Sequence, residues 1–141
     1  MVLPELINSA KRHVFIFADY LDPLIYNEVV LRSLAEAFCR RYETDDNGLR
    51  IMVHDYEKSA PVIDTLKRLI GGTPTIVVHR IRKLAWKRVK GINEFILVDG
   101  TSYWLRDSRK TRQGIYTFRC TRLAPDLHNL FLQVEGEAIR V

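Results

Sequence analysis

The stretch Phe95-Ile96-Leu97-Val98-Asp99-Gly100-Thr101-Ser102-Tyr103-Trp104-Leu105 carries the clearest fold signal in this sequence. A short apolar run ends at Asp-Gly, a pair that favours tight hairpin turns, and a second β-prone run follows. Asn93 to Val98 therefore reads as a strand, and Ser102 to Leu105 as its returning partner. Upstream, Val14 to Ala18, Leu49 to Val53 and Thr75 to Arg80 are three more short runs rich in β-branched and aromatic residues. Between them, Val30, Leu31, Leu34, Ala35 and Phe38 recur at helical spacing from Asn27 to about Tyr42. That helix stops at Asp45-Asp46-Asn47-Gly48, whose glycine suits the left-handed position after a helix. A second helix spans Ser59 to Gly71, with Ser59 as N-cap, Pro61 in the first turn and Gly71-Gly72 as terminator. Leu3 to Ala10 is a short leading helix, Ile115 to Thr121 a sixth strand, and Pro125 to about Glu135 a final helix. Alternation of apolar runs with amphipathic segments predicts one α/β domain over residues 1–141, with a mixed, mostly parallel sheet of about six strands flanked by helices.

The 141 residues are 47% hydrophobic and 28% charged, which excludes disorder and suffices for a single core. Cys39 and Cys120 allow at most one disulfide, too few to staple a secreted scaffold, so a reducing compartment is expected. The N-terminal residues lack the basic and apolar regions of a signal peptide, and no run approaches the roughly 20 residues of a membrane-spanning helix. A cytoplasmic, soluble protein is the expectation.

The net charge of +5 conceals an asymmetry. Residues 80–122 hold twelve basic side chains against Glu94, Asp99 and Asp107, a balance of +9 that leaves −4 for the rest. The basic residues concentrate in two connecting regions, Arg82, Lys83, Lys87, Arg88 and Lys90 in the first, Arg106, Arg109, Lys110 and Arg112 in the second. The first region, Arg80 to Lys90, has no clear period and reads as a loop. Trp86, Tyr103 and Trp104 lie among these charges, and cations interleaved with rings suit a nucleic acid, whose phosphates they neutralise and whose bases they stack on. The plainer alternative is a solvated basic surface with both tryptophans packed in the core. A dimer whose acidic residues, such as Asp45-Asp46, offset the patch is also compatible with the composition.

The order strand, helix, strand, helix, strand, then Phe95 to Gly100 with its hairpin return, a later strand and a C-terminal helix resembles one half-unit of the phospholipase D superfamily. The resemblance implies a His-x-Lys-x4-Asp motif ending at Asp99, with a nucleophilic His and a phosphate-binding Lys. Ile92 and Glu94 stand at those two positions, so only the Asp remains, and phosphodiester chemistry by that mechanism is not expected. Because units of that superfamily act in pairs, the resemblance also implies a homodimer. The resemblance further implies that a degenerate unit of this kind can retain its groove as a binding site.

Other chemistry-bearing residues are few. His54-Asp55 sits where a parallel strand ends, the usual ligand position in open α/β sheets, and His79 lies near the end of the next strand. With Asp19 they compose a candidate metal or acid–base site, against the plainer reading of Asp55 as a helix cap. No phosphate-loop, GxGxxG or GxSxG pattern occurs, and no cofactor or metal is expected. The function expected is a non-catalytic module that binds DNA, RNA or another polyanion. The alternatives are a dimerisation or protein-interaction module anchored on Trp86 and Trp104, with an acidic protein surface as partner, and a histidine- or metal-dependent phosphodiesterase.

Overall fold

The computed structural model describes residues 2–39, 48–71, 76–89, 94–106, 115–117 and 123–141. It is an α/β structure with the elements α1 (Val2–Asn8), β1 (Val14–Ala18), α2 (Glu28–Cys39), β2 (Leu49–Val53), α3 (Tyr56–Ile70) and β3 (Ile76–Arg80) in its first part. There follow α4 (Lys83–Val89), β4 (Phe95–Val98), β5 (Ser102–Leu105), β6 (Ile115–Thr117), α5 (Ala124–Glu135) and β7 (Ile139–Arg140). Among the described residues the sheet has seven strands, in the order β6-β5-β4-β1-β2-β3-β7. Its seventh strand, a two-residue edge pairing antiparallel to β3, adds to the six expected from sequence.

The expectation of a mostly parallel sheet is corrected. Only β1, β2 and β3 run parallel, and the other four pairings are antiparallel. The reason lies in residues 81–94. Arg80 is level with Val53 at the carboxyl end of β2, and Phe95 with Phe17 near the carboxyl end of β1. Both ends of the segment thus lie at one edge of the sheet. A seven-residue helix spans only about 10 Å, so the chain re-enters from the edge it left, and β4 must oppose β1.

Strand alternation divides the interior into two cores. Val14, Ile16, Ala18, Leu49, Ile51 and Val53 face α1, α2 and α3, packing with Leu6, Leu34 and Ile63. Phe15, Phe17, Met52, Phe95 and Leu97 face the opposite side, covered by α4 and α5 through Trp86, Leu127 and Phe131. The two tryptophans lie on opposite sides, Trp104 in the first core and Trp86 in the second.

Local signals explain most boundaries and correct others. The Asn27 carboxamide accepts from Val30 N at 3.1 Å and starts α2 where the periodicity placed it. In α3 the N-cap is Asp55, accepting from Lys58 N at 3.0 Å, and not Ser59. Ser59 lies inside the first turns, donating to the Asp55 carbonyl at 2.8 Å and accepting from Leu21 N at 3.0 Å, so it ties the segment after β1 to the helix. Gly71 ends α3 at φ 76, as its position suggested. Gly48 is not left-handed. A Cβ there would approach the Phe38 ring at 2.9 Å, so close packing is what requires glycine.

Asp99 ties the hairpin turn to the entry of β1. Its carboxylate accepts from the backbone N–H groups of Lys11, Arg12 and His13 at 2.8, 2.7 and 3.0 Å, and its own N–H donates to the His13 carbonyl at 2.9 Å. The residue adopts φ 55, a conformation that Asp tolerates better than most side chains. Asp99→Ala removes an acceptor for three N–H groups and should cost about 2 kcal/mol in urea denaturation. Asp99→Asn, which keeps one carbonyl oxygen, should lose about half as much.

Candidate functional site

Ligands of open α/β sheets gather outside the carboxyl ends of parallel strands, and here the chain leaves that edge after Ala18, Val53 and Arg80. The backbone continues to pair past the strand ends. The Asp19 carbonyl accepts from His54 N at 3.1 Å and Asp55 N at 2.7 Å, and the Val53 carbonyl accepts from Ile81 N at 2.8 Å. Asp19 and His54 therefore keep the alternation of Phe17 and Met52, which places both on the side covered by α4 and α5.

Their side chains meet. His54 Nδ1 lies 3.0 Å from Asp19 Oδ1, and the His54 ring stacks on Trp86 at 4.8 Å between centroids with 8° between planes. Since a carboxylate only accepts, Nδ1 carries the hydrogen and the second nitrogen, Nε2, is the one presented outward. Nε2 is neither buried nor hydrogen-bonded among the described residues.

The segment expected to be a loop is in fact largely α4. Its buried face is narrow, Ala85 and Trp86 after Ile81, while Arg82, Lys83, Leu84, Lys87 and Arg88 are exposed. Trp86 is 7% exposed, so its indole packs beneath the site and does not offer a face for base stacking. Trp104, 5% exposed, is likewise interior. Neither ring is placed to anchor a partner surface. Beside α4 opens a cleft of about 590 Å³ lined by His54, Glu57, Arg80, Ile81, Arg82, Lys83, Leu84, Ala85, Arg88, Glu137 and Ile139. Four cations thus face two carboxylates. Arg80 lies 4.0 Å from Glu57, and Arg88 bonds Glu137, both pairs well exposed. Such pairs contribute at most about 1 kcal/mol each, so an incoming anion displaces the carboxylates easily. Arg82, Lys83 and Lys87 make no ion pair among the described residues.

Of the second group of expected anion contacts, Arg106 alone lies among the described residues, and it does not join this cleft. Arg106 is 6% exposed, and its guanidinium lies 2.7 Å from Glu94 Oε1, directly across the β4–β5 pair. It is a buried counter-ion and not a surface contact. Lys90, Arg109, Lys110 and Arg112 lie outside the described residues, as do Ile92 and Cys120. Glu94 also accepts from the Tyr26 hydroxyl at 2.8 Å. It is 7% exposed, so it faces the interior and repels nothing in the cleft. Burial raises its pKa to about 7, with Arg106 and the Tyr26 hydroxyl opposing the rise, and burial together with Glu94 pushes the Tyr26 phenol well above its usual value.

The remaining candidates separate. Asp55 is spent capping α3. His79 lines a different cavity with Arg50, Glu135 and Arg140, its Nδ1 3.8 Å from Glu135 Oε2, and burial lowers its pKa. Asp99 sits at the far edge of the sheet, level with the start of β1, with both carboxylate oxygens committed to backbone. Among the described residues no three His, Cys, Asp or Glu side chains form a group suited to a metal, and no helix is long and apolar enough to cross a membrane. The pairing of His54 with Asp19 and not with His79 is a register effect, set by where β1 and β2 end.

Glu94 makes stability depend on pH in a stated direction. The folded protein holds this proton up to about pH 7, whereas the unfolded chain releases it near 4.5. Its contribution is full below about pH 4.5 and is lost as pH rises toward 7. Denaturation between pH 5 and 7 should show stability falling as pH rises, and Glu94→Gln should flatten that slope.

A family model described as Domain of unknown function (DUF7931) matches residues 1–138, so the chain belongs to that family. No curated protein matches it.

Proposed function

We propose that this DUF7931 member is a cytoplasmic phospholipase D-like half-unit, without the catalyst of that superfamily, that binds nucleic acid through the cleft beside α4. The observation that carries the reading is the convergence of Arg80, Arg82, Lys83 and Arg88 on one cleft at the carboxyl ends of β2 and β3, with Lys87 on the adjoining exposed face. Cations at this edge meet phosphates at low desolvation cost, since they are themselves exposed and the carboxylates paired with Arg80 and Arg88 are exposed too. The resemblance rests on the order of elements and on the Asp99-Gly100 turn closing β4 onto β5. Glu94, standing where that superfamily has its phosphate-binding Lys, is buried against Arg106, which supports a binding role over phosphodiester cleavage by the superfamily's mechanism. The pairing of units in that superfamily supports a homodimer.

The test is fluorescence anisotropy with a single-stranded oligonucleotide across a salt series. Binding should weaken with a slope of about −0.7 in log K against log salt for each phosphate neutralised. Replacing Arg82 and Lys83 together by Ala should reduce that slope by about 1.4, whereas Lys67→Ala and Arg68→Ala on α3 should leave it unchanged. Salt-insensitive binding, or equal loss from the α3 variants, would contradict the reading.

A further inference from the structure

We propose that His54 makes the inner end of this cleft a recognition site for a phosphate monoester, so that the ligand is held by a terminal phosphate and not only along a diester backbone. The inference rests on the reading that the cleft takes phosphate anions, and it assigns a chemistry to the one ring that lines it among the described residues. Delocalised attraction to a polyanion needs only exposed cations. An imidazole fixed on three sides is more than that requires. Asp19 holds Nδ1 at 3.0 Å, Trp86 covers one face of the ring, and the backbone of residue 54 is pinned to the end of β1. Nε2 is the atom left for a ligand.

What distinguishes the ligand is its proton. A phosphate monoester gives up its second proton only near pH 6, and its monoanion carries a P–OH that donates to the unprotonated Nε2 in a charge-assisted hydrogen bond. A phosphodiester has no such proton to share, and only two non-bridging oxygens for the surrounding donors. The monoester brings three, for Nε2 and for Arg80, Arg82 and Lys83, which line the same cleft. The volume, about 590 Å³, lies within the range of small-molecule sites and admits one terminal residue of a longer chain or a free phosphorylated metabolite.

The experiment compares three probes at fixed salt and pH 7: hexathymidylate with a 5′-phosphate, the same oligonucleotide with a 5′-hydroxyl, and ribose 5-phosphate. The phosphorylated oligonucleotide should bind at least about tenfold tighter than the hydroxyl form. His54→Gln and Asp19→Asn should erase that preference while the salt-dependent binding of both oligonucleotides persists. Competition by ribose 5-phosphate alone, lost in His54→Gln, would assign the site to free phosphate monoesters and remove the nucleic-acid reading while leaving this one standing. Equal affinity for the two oligonucleotides, or a preference that survives His54→Gln, would overturn the inference. Where the variants do not fold, the wild-type His54 ring resonances decide. They should move on addition of ribose 5-phosphate, and their failure to move would overturn it as well.

Discussion

Asp19 is joined three times to the two residues after β2, by its carbonyl to His54 N and Asp55 N and by its carboxylate to His54 Nδ1. The candidate site depends on that junction. It holds the His54 ring at the carboxyl edge, the ring gives Trp86 a flat surface to stack on, and Trp86 is the largest apolar group by which α4 reaches the second core. With α4 so placed, Arg82, Lys83 and Arg88 fall beside Arg80 around one cleft. The aromatic stacking of Phe17 on Phe95 at 5.1 Å extends the same layer inward, so the cleft rests on rigid apolar packing rather than on a long connecting loop.

Charge in this protein is sorted by edge and by face. At the amino edge of the parallel strands, the Asp99 carboxylate serves only the backbone of residues 11–13. At the carboxyl edge, Glu94 and Arg106 are paired with one another on the side of α1 to α3, while Arg80, Arg82, Lys83 and Arg88 surround the cleft at the strand ends. Breaking the buried pair would leave an uncompensated charge in the core, so it serves the fold. The exposed cations have no comparable structural task, and their proximity to one another is a cost that an anionic ligand relieves.

Much of this order is legible in the sequence because period and turn chemistry agree. The hairpin at Asp99-Gly100, the apolar strands β1 to β4 and the helix α2 all fall close to where their residues place them. The helix α4 is hard to read because Lys83, Lys87 and Arg88 hold three of its seven positions and, among the described residues, only Ala85 and Trp86 mark its buried face, too few positions to establish a 3.6-residue period. The direction of β4 is hidden along with that helix, since a helix too short to cross the sheet reverses the next strand. Arg106 looked like a surface cation because nothing local reveals that Glu94 lies opposite it across two strands. A spacing of two residues between Glu94 and Ile96, and between Trp104 and Arg106, does place all four on one face once the hairpin register is known. Likewise the meeting of Asp19 with His54 follows from β1 and β2 being level at their carboxyl ends, a fact of register invisible in either segment alone.

The central claim is that the cleft at the carboxyl ends of β2 and β3 is where this protein meets a phosphate-bearing ligand. Amide hydrogen exchange with and without a single-stranded oligonucleotide tests it most directly. Slowed exchange should be confined to residues 54–57 and 80–88. Protection at the Asp99-Gly100 turn and residues 11–13 instead, with residues 80–88 unchanged, would contradict the account.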